Sequence, residues 1–74
     1  SFEIVGHTCD LGIAEQNIDL SQRRAKSLYD FLLSKGIKED RLKHRGMGQS
    51  EPAVPNTNEA NRRQNRRVEV EILD

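Results

Sequence analysis

Near the end of the chain Val68, Val70 and Ile72 alternate with Arg67, Glu69 and Glu71. A period of two is satisfied by an extended strand with one apolar and one charged face, so this stretch commits the chain to a sheet. Phe2-Glu3-Ile4-Val5 alternates briefly and ends at Gly6, which suits a first strand. Leu42 to Met47 is a plausible second strand that runs into Gly46 and Gly48. Between them Ala25, Leu28, Tyr29 and Leu32 recur at helical spacing, with Phe31 and Leu33 widening the stripe. Ser21 reads as the cap of that helix, Gly36 as its stop, and Ile37 as its C-terminal hydrophobic contact. Leu11 to Asp19 lacks a sustained period and is expected to be a loop. Lys38 to Arg41 reads as a polar turn, Gln49 to Asn58 as a loop with two prolines, and Glu59 to Gln64 as one or two helical turns. The expected class is α+β, with strand, helix, strand, short helix and strand in that order. The sheet is mixed and its helices pack on one face.

Seventy-four residues form at most one domain, residues 1–74. Only 34% of them are hydrophobic, Trp is absent, and Phe2, Tyr29 and Phe31 supply the bulk. So thin a core implies marginal stability or a piece of a larger domain. Twelve basic and twelve acidic residues cancel, which removes any global field for polyanions or membranes. No stretch approaches the roughly 18 apolar residues of a membrane span. The chain opens in a strand-like run, so any targeting segment is expected upstream or already removed. Cys9 stands alone, which excludes an internal disulfide and a cysteine zinc cage. His7 and His44 lack a second set of spaced ligands, so no metal or cofactor is expected. No Ser-His-Asp, Cys-His or paired-carboxylate arrangement stands out, and no catalysis is expected.

Three segments carry a resemblance. They are Gly6-His7-Thr8 followed by Gly12; Asn17, Leu20-Ser21 and Arg24-Ala25; and Asn65-Arg66-Arg67-Val68-Glu69, preceded by Gly46-Met47-Gly48, Pro52 and Arg62. In this order they resemble the OmpA-like peptidoglycan-binding domain, the family that includes Pal lipoproteins and the flagellar stator protein MotB. The resemblance covers nearly the whole chain. That family carries a further strand and helix before the Gly-His-Thr strand, so the chain looks like the C-terminal part of such a domain. One departure falls in the ligand-facing loop: the family's aspartate position is Cys9, and the acid stands one place later, at Asp10. Gln16 replaces a frequent aromatic.

What the resemblance implies is a non-catalytic module that attaches an outer-membrane or envelope protein to peptidoglycan, at the periplasmic face of the outer membrane of a Gram-negative bacterium. The ligand would be the stem peptide, read at the free end of meso-diaminopimelate, where one carbon carries an ammonium and a carboxylate. Holding it needs an acid and a guanidinium fork. The resemblance puts the fork on Arg24 with a second arginine at Arg66, the acid on Asp10, and an amide on Asn17; Cys9 and Arg62 are further candidates. Counted from Ser21, Arg24 falls in the first helical turn, beside unpaired backbone N–H groups that favour a carboxylate. His7 reads as a hydrogen-bonded structural histidine at a strand end. Two rival readings remain: a nucleic-acid-binding fragment that uses the Arg62–Arg67 cluster, and a structural domain that has lost its ligand. Against the first, Glu59, Glu69 and Glu71 flank the cluster and no aromatic is interleaved for base stacking.

Overall fold

The computed structural model describes residues 1–73. Strand β1 (Phe2–Gly6) lies between β2 (Leu42–Gly46) and β3 (Val68–Ile72), parallel to the first and antiparallel to the second. Helix α1 (Ala14–Ser34) crosses from β1 to β2, and the short helix α2 (Glu59–Asn65) precedes β3. The class is α+β with a mixed sheet, and the strand order along the chain is the expected one. Ile4 on β1, Ala25 on α1 and Leu42 on β2 form the buried core, joined by Phe2, Leu28, Tyr29, Leu32, Leu33 and Ile37. The helical stripe thus faces β1 and β2, except for Phe31, which stays 54% exposed.

Local chemistry accounts for the ends of most elements. After α1, Gly36 adopts φ +97°, its N–H reaches the Leu33 carbonyl at 3.1 Å, and the Ile37 N–H reaches that of Leu32 at 3.3 Å. This pair of bonds closes the last helical carbonyls and turns Ile37 onto the core. Asn58 caps α2 by accepting the Asn61 N–H at 2.8 Å.

The start of α1 differs from the sequence expectation by eight residues. Gly12 turns the chain at φ +87°, Ile13 takes the capping position with extended dihedrals and no side-chain bond, and the helix runs from Ala14 through the segment expected to be a loop. Ser21 is therefore not a cap. It is fully buried at mid-helix, where its hydroxyl donates to the Ile18 carbonyl at 2.8 Å and accepts the Gly48 N–H at 2.9 Å. The strands approach the helix most closely there. A Cβ on Gly6 would collide with the Ser21 carbonyl oxygen, and one on Gly46 with the Ser21 hydroxyl and the Gln22 backbone. Glycine is required at both places for reasons of space.

Val68, Val70 and Ile72 stand opposite Gly6, Ile4 and Phe2 and so point to the side of the sheet that α1 covers. The helix lies over β1 and β2, however, and these three residues stay 37%, 51% and 73% exposed. The alternation in the sequence correctly gave their common face, and that face is bare.

Candidate functional site

Beyond Gly6 the chain leaves the sheet but stays anchored to it. The His7 N–H bonds the Arg67 carbonyl at 2.8 Å, and the Thr8 N–H bonds the Gly48 carbonyl at 2.8 Å. Three elements therefore meet at the end of β1: the loop 7–13, the first turns of α1, and α2 with the residues just after it. Asn17 ties the first two together. Its side-chain amide donates to the carbonyls of Leu11 (2.9 Å) and Cys9 (3.4 Å) and to the Gln49 side-chain oxygen (2.9 Å), and it is buried. Its donor half is thus spent on shaping the loop, and only its oxygen is left to face a ligand.

The third element brings two arginines to this loop. Arg62 Nε donates to Asp10 Oδ1 at 3.1 Å, and its Nη2 reaches the Asn56 carbonyl at 3.4 Å. Arg66 Nη1 lies 3.5 Å from the buried Cys9 sulfur, and its Nη2 forms a short ion pair with Glu59. That hydrogen bond holds the Glu59 carboxyl below its usual range and raises the guanidinium of Arg66. Cys9, Asp10, Asn17, Arg62 and Arg66, all singled out from sequence, therefore share one region, with Asp10 exposed and Cys9 buried.

Arg24 is placed differently. With α1 starting at Ala14, Arg24 lies in mid-helix, far from the free N–H groups of the first turn, so the dipole argument attached to it does not apply. It is exposed, with no hydrogen bond or ion pair among the described residues. Seven residues from Asn17, it lies about 20° from it around the helix and about 10.5 Å further along the axis. It thus flanks the cluster on the same helical face, and no contact joins it to Cys9, Asp10 or Arg66 among the described residues.

Two further residues hold the site together. Asn65, fully buried, accepts the N–H groups of Ala53 (2.8 Å) and Val54 (3.2 Å) and donates to the Val54 carbonyl (2.8 Å) and the Asn56 side chain (2.7 Å). It pins the proline-containing loop beside Arg66. Asn65 belongs to the Asn-Arg-Arg-Val-Glu string, but neither this clamp nor the hold of Glu59 on Arg66 was legible before the loop was seen folded. His7, expected to be hydrogen-bonded at the strand end, lies there and is buried, but neither ring nitrogen has a hydrogen-bond partner among the described residues. Its Nε2 lies 3.5 Å from Glu69 Oε2 outside bonding geometry. Burial, and then the nearby Arg67 charge, lower its pKa from 6.5 against the opposing pull of Glu69 and Glu51.

The arginine run is not a free basic surface. Arg62 pairs with Asp10, Arg66 with Glu59, and Arg67 with Glu69 at 2.6 Å. Partners drawn from the chain itself neutralise what a polyanion would need.

Comparison with known proteins agrees with this fold. The chain is 38% identical over 81 aligned residues to outer membrane protein A of Escherichia fergusonii, covering 97% of this chain and 33% of that protein. It thus spans about a third of that relative's length. Among solved structures, the peptidoglycan-associated lipoprotein of Burkholderia pseudomallei superposes with a TM-score of 0.90 at 29% identity, over 93% of this chain and 58% of that one. The C-terminal domain of Helicobacter pylori MotB gives a TM-score of 0.88 at 27% identity, over 95% and 54%. The family model described as the OmpA family matches residues 1–66, nearly the whole length, and the chain belongs to that family.

Proposed function

We propose that this chain is a non-catalytic binding module that attaches an envelope protein to peptidoglycan by gripping the diaminopimelate end of a stem peptide. The observation that carries this reading is the meeting of Arg62 and Arg66 with Asp10, Cys9 and Asn17 at the end of β1. Guanidinium groups held in ion pairs on a rigid sheet-and-helix frame are preorganised for a carboxylate, which they bind through two parallel N–H bonds. Arg66, which touches the loop, takes the carboxylate, and Arg24 reaches in from its flank on α1. The names of the relatives support the class of partner: one is a peptidoglycan-associated lipoprotein, and another is described as the cell wall anchor of a type VI secretion system. The corresponding location is the periplasmic side of a Gram-negative envelope.

The bare face of β3 bears on the extent of the domain. Among the described residues β3 pairs only with β1, and Val68, Val70 and Ile72 lie uncovered beside it. Sedimentation with purified sacculi tests the function, with calorimetry against a diaminopimelate tripeptide as its quantitative form. Binding lost on Arg66→Ala and reduced on Arg24→Ala supports the reading. Undiminished binding by both variants overturns it.

A further inference from the structure

The charges around this cluster are unevenly satisfied. Asp10 is engaged by Arg62 and Glu59 by Arg66, so each nearby carboxylate already faces a guanidinium. An ammonium brought to Asp10 meets the positive charge of Arg62 beside it, which offsets most of the attraction. The other group facing Arg66 is the Cys9 thiol, a weak acceptor at 3.5 Å. A ligand carboxylate that replaces this contact gains a charge-assisted bond to Arg66. On the cationic side, Arg24 has no partner among the described residues. Arg24, Arg62 and Arg66 against Asp10 and Glu59 leave one positive charge in excess.

Resting on the binding function proposed above, we infer that the cluster holds the carboxylate of its ligand and leaves the adjacent amine unheld. It therefore accepts stem peptides whose diaminopimelate amine is acylated. Acylation of that amine is the linkage that joins one stem to the next, so the module binds cross-linked wall as well as free stems. Cys9 leaves the site open: a weak thiol acceptor beside Arg66 yields to a ligand carboxylate without the loss of an ion pair.

The test is calorimetry of the unaltered chain with three synthetic probes: a stem tripeptide ending in meso-diaminopimelate, the same peptide acetylated on the side-chain amine, and the same peptide with the side-chain carboxylate converted to carboxamide. Acetylation should change Kd by less than about threefold, and the carboxamide should weaken binding by roughly tenfold or more. Cys9→Asp should set a carboxylate against Arg66, where it competes with the ligand carboxylate, and should weaken the free and the acetylated peptide alike by roughly tenfold or more. If the free peptide binds and acetylation weakens it roughly tenfold, the selectivity inference is wrong while the binding function stands. If none of the three binds, the binding function itself is wrong and the inference falls with it.

Discussion

Ser21 and Gly48 are joined by a buried hydrogen bond, 2.9 Å from the Gly48 nitrogen to the Ser21 hydroxyl, across 27 residues of sequence. With Gly6 and Gly46 against the same turn of α1, this bond sets how closely the helix approaches the strand ends. Ser21→Ala leaves the Gly48 N–H buried without a partner and should cost about 1–3 kcal/mol. Ser21→Val adds bulk against two glycines that have no room to yield and should cost more. Urea unfolding of both variants measures this. A valine variant as stable as the alanine variant would show that close approach is not what Ser21 provides.

Asn65 ties four polar groups of residues 53–56 to the end of α2. Asn65→Ala removes all four bonds from a fully buried position, and about 2–4 kcal/mol of stability should go with them. Asn65→Asp keeps the acceptor but sets a buried carboxylate oxygen against the Val54 carbonyl and the Asn56 side-chain oxygen, so it should cost at least as much. Amide exchange at Ala53 and Val54 is the direct readout: it should accelerate in both variants.

Much of this architecture could be read from residue order, and the failures have physical causes. Period-two and period-3.6 patterns located β1, β3 and the body of α1, and Gly36 with Ile37 marked the helix end because that turn needs a positive φ and an apolar follower. The start of α1 was missed because Ile13 caps it with no side-chain bond, while Ser21, a residue type that favours caps, sits buried in its middle. That error carried Arg24 to the wrong part of the helix. At the site, Arg62 with Asp10 and Arg66 with Cys9 lie 52 and 57 residues apart. Family resemblance nominated these residues singly, but no local pattern states who pairs with whom.

His7 makes stability depend on pH. Its pKa in the fold lies below 6.5, because burial and Arg67 disfavour the imidazolium. Between that lowered value and 6.5 the unfolded chain binds a proton that the native state refuses, so stability falls as pH falls. The contribution is fully present above 6.5 and is lost as pH drops through the native pKa. Glu59 and Glu69, whose pKa values are lowered from 4.5, act only below that value. Urea midpoints should therefore drop between pH 7.5 and pH 5.5, and His7→Gln should flatten the drop. An equal drop in the variant would assign it to another group.

The uncovered strand face predicts a contrast between two valines. Val70 is half exposed beside the core, while Val5 is 1% exposed. In the chain as it stands, Val70→Thr should cost under about 0.5 kcal/mol, and Val5→Ala should cost about 1–3 kcal/mol. In a longer chain with a covering strand and helix, Val70→Thr should become about as costly as a core substitution. If its cost is small in both chains, nothing packs on β3.

Arg66 carries the sharpest binding prediction because it does two jobs at once. One nitrogen is held by Glu59 while the other faces Cys9, so the planar fork is fixed with an edge turned to the loop. Arg66→Lys keeps the charge and can keep the Glu59 ion pair, but a single ammonium cannot also offer two parallel N–H groups to a carboxylate. Affinity for a diaminopimelate stem peptide should drop roughly tenfold or more with the fold intact. Glu59→Ala separates positioning from charge: it frees the fork without removing it, and a several-fold weaker affinity is expected because the guanidinium must then be ordered by the ligand. Calorimetry on both variants, with circular dichroism to confirm folding, gives the answer. If the lysine variant binds as tightly as the parent, recognition rests on charge alone and the fork has no part in it.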